Sequence, residues 1–385
     1  MGFDVAIMGG GTVGSSLACA LGQARVSVAL VEPRPARTLP AAGFDTRVYA
    51  LNARSRRFLE GLGVWQRLAQ ERVAPVFDMQ VFGDDGGAIE FSALRSRVPE
   101  LAAIVEEANL LQALRAGLPA RDGLHLAAAA CAGASWEEGC VRIALSDGGS
   151  LEAALAVAAD GADSPLRRAA GVSCDVHDYG AQGVVANFRC EKPHRGAACQ
   201  WFMDGGVLAL LPLPGRHVSM VWSVPDAQAA GLLSLPAHEL CARVETASGR
   251  RFGALEVVGQ PVAFPLRRLR ARRLVAPRLA LTGDTAHNVH PLAGQGLNLG
   301  LADAQALADV IAARGMQPDC GAMSLLRRYE RRRREELLAM EAVTDGLHVL
   351  FGSSAPGARR LRNAGLGLVN RAPALKRLLV KHATG

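Results

Sequence analysis

Hydrophobic and polar positions at the start of the chain form a short apolar run, a longer helical stretch and a second apolar run. The first run, Phe3–Met8, ends in glycines and predicts a buried strand. A helix is predicted over Thr12–Gln23 and a second strand over Val26–Val31, which ends beside Glu32. Strand, helix and strand in this order predict a βαβ unit with two parallel strands.

The pattern continues through the chain with a mixture of helical and strand periods. Residues 183–224 are rich in strand-forming residues and predict an antiparallel sheet, and the chain from Met323 onward is predicted to be helical. Further helices are predicted over Leu51–Gln70, Glu106–Gly117 and Leu297–Arg314. Further strands are predicted over Met79–Val81, Ala88–Phe91, Leu124–Ala128, Val141–Leu145, Leu155–Ala158 and Leu274–Thr282.

These elements predict an α/β protein in which a discontinuous Rossmann-type domain contains β-rich insertions. We expect the nucleotide-binding domain to comprise residues 1–74, 100–174 and 262–345. An antiparallel β-sheet substrate domain is expected from residues 75–99 and 175–261, and a helical C-terminal region from 346–385. The chain has 385 residues, half of them hydrophobic, which suits two domains of this kind.

The positive charge lies at the C-terminus. The net charge is +7, and from Leu325 to the end there are 13 Lys/Arg against 5 Asp/Glu. Basic residues interleave with leucines after Leu347, so we expect the tail to contact an anionic membrane or a partner enzyme. The alternative is that the tail docks on the nucleotide-binding domain. Nucleic acid is not expected, because the arginine run lacks the interleaved aromatic residues of single-strand binders.

The spacing of the cysteines and the lengths of the apolar runs indicate the cellular compartment of the protein. The eight cysteines form no CxxC pair and no cluster with histidine, so we expect reduced thiols and no metal site. No signal peptide is predicted, and no apolar run reaches the roughly 20 residues of a membrane-spanning helix. We therefore expect a cytoplasmic protein, peripheral on the inner face of the cytoplasmic membrane if the tail binds lipid.

A glycine motif stands between the first predicted strand and helix. It reads Gly9-Gly10-Gly11-Thr12-Val13-Gly14 and contains G-x-G-x-x-G. The first glycine permits the tight turn, Gly11 lets the backbone approach a pyrophosphate, and Gly14 allows close helix–strand packing. Glu32 then suits a ribose hydroxyl. The candidate cofactor contacts are Gly9, Gly11, Thr12, Val13, Gly14 and Glu32; this motif alone does not separate FAD from NAD.

Two further segments separate these cofactors. Asp160-Gly161 follows the strand Leu155–Ala158, and Gly283-Asp284 follows the strand Leu274–Thr282. A helix then opens at Gly294-Gln295-Gly296-Leu297-Asn298. Together these segments resemble the DG and GD motifs of the group A flavoprotein aromatic hydroxylases. The resemblance implies that this helix begins beneath the flavin ring, where its N-terminus would stabilise negative charge on reduced flavin. The resemblance implies FAD contacts from Asp160, Gly283, Asp284, Gly294, Gly296, Leu297 and Asn298.

The chain further resembles the ubiquinone-biosynthesis hydroxylases over nearly its whole length. The resemblance rests on the segment Arg47–Leu51, the helix Glu107–Gln112, the strands between Tyr179 and Leu213, and the C-terminal segment Arg362–Leu366. It implies that Arg47 and Gln112 contact FAD. The chain departs from the family pattern at Ala108, Ala159 and Asp163, where Asn, Gly and Asn are usual.

The family resemblance implies a reaction. NAD(P)H reduces FAD, O₂ adds at flavin C4a, and the distal peroxide oxygen passes to the ring of a polyprenylated phenol. Pro291 and Gly294 are expected along the flavin ring, and His290 is a candidate for phenol deprotonation. His287 is interpreted as a structural hydrogen-bonding residue. Trp201, Leu210 and Trp222 are candidates for the substrate pocket, with a plain core role as the alternative.

Two other functions fit the same sequence. One is a related flavoenzyme that hydroxylates a soluble aromatic or reduces prenyl chains. The other is a catalytically silent FAD-containing scaffold subunit of a biosynthetic complex, against which the intact Gly294-Gln295-Gly296 stretch argues.

Overall fold

The computed structural model describes residues 2–35, 37–118, 123–203, 206–288, 295–315 and 317–352, with side-chain surroundings described as far as residue 340. The strands, numbered along the chain, are β1 (Gly2–Met8), β2 (Val28–Val31), β3 (Val48–Leu51), β4 (Ala74–Val76), β5 (Asp78–Phe82), β6 (Ala88–Ser92), β7 (Ala102–Glu106), β8 (Leu124–Ala127), β9 (Cys131–Trp136), β10 (Val141–Leu145), β11 (Ser150–Ala158), β12 (Cys174–Cys190), β13 (Ala197–Met203), β14 (Gly206–Leu213), β15 (His217–Pro225), β16 (Leu255–Ala271), β17 (Val275–Ala276), β18 (Leu279–Leu281) and β19 (His287–Asn288). The helices are α1 (Thr12–Gln23), α2 (Ala53–Gly61), α3 (Ala93–Ser96), α4 (Glu107–Gly117), α5 (Pro165–Ala169), α6 (Asp226–Ser234), α7 (Ala237–Ala247), α8 (Gly296–Ala312) and α9 (Met323–Gly352).

The first sheet has the strand order β17-β18-β11-β1-β2-β8. Strand β1 pairs in parallel with both β2 and β11, and its residues Val5–Met8 are buried in the core of this domain. Helix α1 packs against α4 and α8, and α8 packs against α9. The predicted βαβ unit is therefore confirmed, and it lies in the centre of a large core.

Two local predictions near this sheet need correction. The apolar run Leu274–Thr282 is two short antiparallel strands, β17 and β18, because Arg278 between them takes a positive φ of 54°. The expected helix over Leu51–Gln70 is shorter. Asn52 caps α2 by accepting the N–H of Ser55, and the helix ends at Gly61, shortly before Gly63 turns the chain at φ 69°.

The second sheet has the order β19-β16-β12-β15-β14-β13-β5-β6 and is antiparallel except between β13 and β5. It confirms the antiparallel sheet predicted for residues 183–224. Strand β16 runs without a break to Ala271, so the domain boundary expected at residue 262 falls inside it. Helices α6 and α7, which the sequence analysis did not predict, pack on one face of this sheet and bury a core that includes Phe188, Leu208 and Met220.

A small third sheet, β3-β7-β4, lies between the two larger ones. Its residues Ala74, Val76 and Ile104 pack against Ala198 and Leu213 of the second sheet. This apolar contact brings the loop before β3 and the start of α4 next to the second sheet.

Candidate functional site

The glycine motif forms the turn between β1 and α1. Gly9 has a φ of 105°, which a residue with a side chain rarely adopts. A Cβ on Gly14 would overlap the carbonyl oxygen of Gly9, so this position must be glycine for the helix to approach the strand. Helix α1 has no side-chain N-cap, and Thr12 Oγ1 is buried without a hydrogen-bond partner among the described residues. The helix start therefore offers polar groups to an external anion.

Glu32 lies beside this turn, as predicted. Its Oε2 accepts the N–H of Gly10 at 2.8 Å, and its Oε1 accepts Nε of Arg34 at 2.9 Å. Burial alone would raise the pKa of Glu32, but the hydrogen bonds and charge of Arg34 lower it overall. The carboxylate is thus ionised and fixed at the end of β2.

A cavity of about 320 Å³ opens in front of the glycine turn. Gly11 lines it, and a Cβ on Gly11 would have no protein atom within 4 Å, so it would project into the space available to a ligand. Four arginines and two glutamates give the lining a positive balance that suits a pyrophosphate. The lining residues are Gly10, Gly11, Glu32, Arg34, Pro35, Arg37, Arg47, Glu107, Leu111 and Arg115.

Arg47 lies in the cavity wall within a polar cluster around Glu107. The Glu107 carboxylate accepts Nη1 of Arg47 at 3.1 Å and the hydroxyl of Tyr49 at 2.7 Å, and it also pairs with Arg37. Burial would raise the pKa of Glu107, but Arg47, Tyr49 and Arg37 lower it. The sequence analysis named none of Arg37, Tyr49 and Glu107 as a site residue, although Tyr49 and Glu107 lie in two of the segments that carry the family resemblance.

Gln112 lies on α4 but is exposed, while its neighbour Leu111 lines the cavity. Ala108, at the position where the family usually has Asn, contributes its backbone instead. Its N–H donates to Asp45 Oδ2 at 3.2 Å.

The DG and GD segments lie side by side. The N–H of Gly161 donates to Thr285 Oγ1 at 3.1 Å, and the same hydroxyl is 3.4 Å from Asp160 Oδ1. Arg167 donates to the carbonyl oxygen of Thr285 at 2.9 Å. Burial raises the pKa of Asp160. The two segments, more than a hundred residues apart in the chain, thus form one wall.

A buried network of ionic hydrogen bonds holds the GD segment at Gly283 and His287. Asp303 on α8 accepts the N–H of Gly283 at 2.9 Å, Nε2 of His287 at 2.6 Å and Nε of Arg333 at 2.7 Å. Burial alone would raise the pKa of Asp303 and lower that of His287. Their mutual attraction reverses both effects, so the pKa of Asp303 is lowered and that of His287 is raised. His287 therefore has the structural contact that its interpretation predicts.

Asp284 itself is exposed, one residue beyond the network. Despite this exposure, desolvation by the surrounding protein raises the pKa of Asp284, and Glu107 raises it further, while His287 and Arg47 lower it. Asp284 thus lies within electrostatic range of Arg47 and Glu107, two residues that line the cavity.

Val13 of the glycine motif fits between two other glycines. A Cβ on Gly300 would lie 2.6 Å from Val13 Cγ2, and one on Gly283 would lie 3.2 Å from it. These small residues let α1 and α8 approach closely. The start of α8, at Gly296 and the half-buried Leu297, is thereby held near the glycine turn.

The side chain of Asn298 forms hydrogen bonds with other residues of the protein. Its Oδ1 accepts from the Asn52 N–H at 3.1 Å and the Ser55 hydroxyl at 2.7 Å, and its Nδ2 donates to Ala50 O at 2.9 Å. Any contact of Asn298 with a cofactor is therefore left to its backbone. His290, Pro291 and Gly294 lie outside the described residues.

The three expected pocket residues lie on the face of the second sheet that packs under α6 and α7. Leu210 is completely buried in that core, and Trp201 and Trp222 flank Leu208 in register on the same face. The opposite face, toward the third sheet, carries Leu211 and Leu213. These contacts agree with the core role that was the alternative for Trp201, Leu210 and Trp222.

The helices within the described ranges include none that combines the length and apolar character needed to cross a membrane. The same ranges contain no cluster of His, Cys, Asp and Glu side chains that could hold a metal ion.

Comparisons with known proteins find relatives that align with nearly the whole chain. The family model described as "FAD binding domain" matches residues 2–344. Ubiquinone hydroxylase UbiL of Rhodospirillum rubrum is 38% identical over 99% of this chain and 89% of its own length. The 3-demethoxyubiquinol 3-hydroxylase of Escherichia coli is 33% identical over 99% of this chain and 98% of its own. Among solved structures, p-nitrophenol 4-monooxygenase PnpA of Pseudomonas putida has a TM-score of 0.80 at 18% identity, covering 100% of this chain and 99% of its own, which shows a shared fold.

Proposed function

The chain belongs to the FAD-binding-domain family and, within it, to the ubiquinone-biosynthesis hydroxylases, and we propose that it hydroxylates the aromatic ring of a polyprenylated phenol or quinone precursor, using FAD, NAD(P)H and O₂. The family predicted from the sequence motifs is thus confirmed. The observation that carries the proposal is the full-length similarity to two proteins named as ubiquinone or ubiquinol hydroxylases.

The residues present fit FAD. The uncapped start of α1, the open side of Gly11 and the arginine-rich lining suit its pyrophosphate, and Glu32 suits a ribose. Asp284 would hold the ribityl chain, and the backbone at Gly296, Leu297 and Asn298 would face the flavin. When bound, FAD supplies the redox chemistry with NAD(P)H and O₂. The protein then has to orient the phenol, exclude water and stabilise negative charge. We propose that Pro291 and Gly294 lie along the flavin ring and that His290 accepts the proton of the phenol.

We propose that the basic tail, residues 346–385, contacts the inner face of the cytoplasmic membrane or a partner enzyme. The reason is that the polyprenylated substrate proposed for this enzyme would be lipid-soluble. Flotation with anionic liposomes compares the full chain with residues 1–345. We expect only the full chain to float with them; equal flotation of both proteins would remove the membrane role.

The proposed activity predicts that a prenylated phenol stimulates NAD(P)H oxidation by the FAD-loaded protein and yields hydroxylated product with little free peroxide. Small soluble phenols should stimulate it much less. Stimulation by soluble phenols alone would identify the enzyme as a hydroxylase of a soluble aromatic. No turnover with FAD bound would identify a silent scaffold.

A further inference from the structure

The loop of residues 37–47 connects the cofactor cavity with the second sheet. The first and last residues of this loop, Arg37 and Arg47, both line the cavity. Between them, the Asp45 carboxylate accepts the N–H of Arg47 at 3.1 Å, and the Asp45 N–H donates to Glu106 Oε1 at 2.5 Å. The placement of the Arg47 backbone therefore depends on Asp45. We call residues 37–47 the cofactor loop.

The middle of the cofactor loop lies across three strands of the second sheet. A Cβ on Gly43 would lie 2.9 Å from Val258 of β16, and the ring of Phe44 packs against His217 at the start of β15, with centroids 5.2 Å apart. On β12, between those strands, Asn187 Nδ2 donates to Phe44 O at 3.0 Å and to Asp45 O at 3.1 Å. One amide group thus uses both of its N–H donors to hold two consecutive carbonyls of the loop.

Asn187 lies at a buried site where two polar atoms lack hydrogen-bond partners among the described residues. Asn187 is fully buried, and Ser219, its partner in register on β15, is fully buried too. Asn187 Oδ1 and Ser219 Oγ have no hydrogen-bond partner among the described residues. Fully buried polar atoms without partners are uncommon in proteins and mark places where a polar group serves more than packing. The residues on either side, Ala186 and Phe188, point into the apolar core on the opposite face.

We propose that Asn187 is a positioning residue by which the second sheet holds the cofactor loop, and with it Arg47, in the geometry that binds FAD. This rests on the cofactor part of the proposed function only. The side chain does not line the cavity, so it acts through Phe44 and Asp45.

The test uses Asn187→Leu, which removes both donors, and Asn187→Asp, which keeps the shape of the side chain but replaces the two N–H donors with at most one O–H donor. Because 1.4 kcal/mol corresponds to a factor of ten, loss of these two buried hydrogen bonds is expected to raise the Kd for FAD by about ten- to a hundred-fold. Amide hydrogen exchange of residues 43–47 in the FAD-free protein should accelerate in both variants.

Asn109→Leu is the matched control. Asn109 is equally a buried amide that bonds a backbone segment, accepting the N–H of Ala69 at 3.0 Å and donating to its carbonyl at 3.2 Å, but it does not touch the cofactor loop. We expect it to lower Tm as much as the Asn187 variants while leaving the Kd for FAD within about twofold.

An unchanged Kd and unchanged exchange at residues 43–47 in Asn187→Leu would overturn the inference. So would an equal loss of FAD affinity in Asn109→Leu, because that would make the effect one of general stability. Neither readout needs an aromatic substrate. Failure of the hydroxylation assay therefore leaves this inference standing, whereas failure of the wild-type protein to bind FAD would contradict the proposed function itself.

Discussion

Replacing Gly14 with alanine is expected to weaken FAD binding by about five- to a hundred-fold, since overpacking of this kind costs about 1–3 kcal/mol and here it shifts the binding turn. The added Cβ would overlap the carbonyl oxygen of Gly9 and lie 3.3 Å from the Ala159 side chain. Relief requires that α1 move away from β1. The start of α1 and the turn at Gly9 are the groups that we propose to face the pyrophosphate of FAD, so the displacement should act directly on cofactor binding.

The measurement is a titration of the FAD-free variant with FAD, followed by flavin fluorescence. Gly61→Ala is the control, because Gly61 ends helix α2 with no atom within 4 Å of an added Cβ. It should bind FAD like the wild type. Binding by Gly14→Ala as tight as that of Gly61→Ala would mean that the glycine turn does not hold the cofactor.

Replacing Arg333 with methionine is expected to lower the free energy of unfolding by about 3–5 kcal/mol, the usual result of removing one partner of a buried ion pair. Arg333 is 1% exposed and reaches from α9 to Asp303, which is completely buried, and to the carbonyl of Leu299 at 3.3 Å. Without the guanidinium, Asp303 keeps its charge with one fewer partner. Because Asp303 also holds the Gly283 N–H, FAD affinity should fall as well.

The neighbouring Arg332→Met is the matched control for urea unfolding. Arg332 pairs with Asp309 at 3.0 Å, but both side chains are about half exposed, and such surface pairs contribute about 0–1 kcal/mol. Equal unfolding midpoints for Arg332→Met and Arg333→Met would show that the network behind the GD segment is not a stabilising one.

The motifs could be predicted because they are local. The strand, the glycine turn, α1 and Glu32 follow one another in the sequence, and the α/β fold with its antiparallel insertion followed from the same patterns. Which face of the second sheet each residue occupies could not be predicted from the sequence. Alternation places Leu210 and Leu211 on opposite faces of β14, but which face meets α6 and α7 depends on helices that lay outside the predicted elements.

The role of individual polar residues depended on tertiary contacts in the same way. Asn298 belongs to a recognisable motif, yet its side chain bonds Ala50, Asn52 and Ser55. Arg333 stands within a run of arginines that resembles a solvated surface. Its helical spacing from the buried Tyr329 and Leu337 was the available signal, because positions four apart lie on one face of a helix.

The most direct test of the central claim is incubation of the FAD-loaded protein with NAD(P)H, a prenylated phenol and ¹⁸O₂, with mass spectrometry of the extracted lipid. The account predicts a ring-hydroxylated product that contains one labelled oxygen atom, formed in proportion to the NAD(P)H consumed. Consumption of NAD(P)H that yields only labelled peroxide, or a product whose new oxygen comes from water, would contradict it.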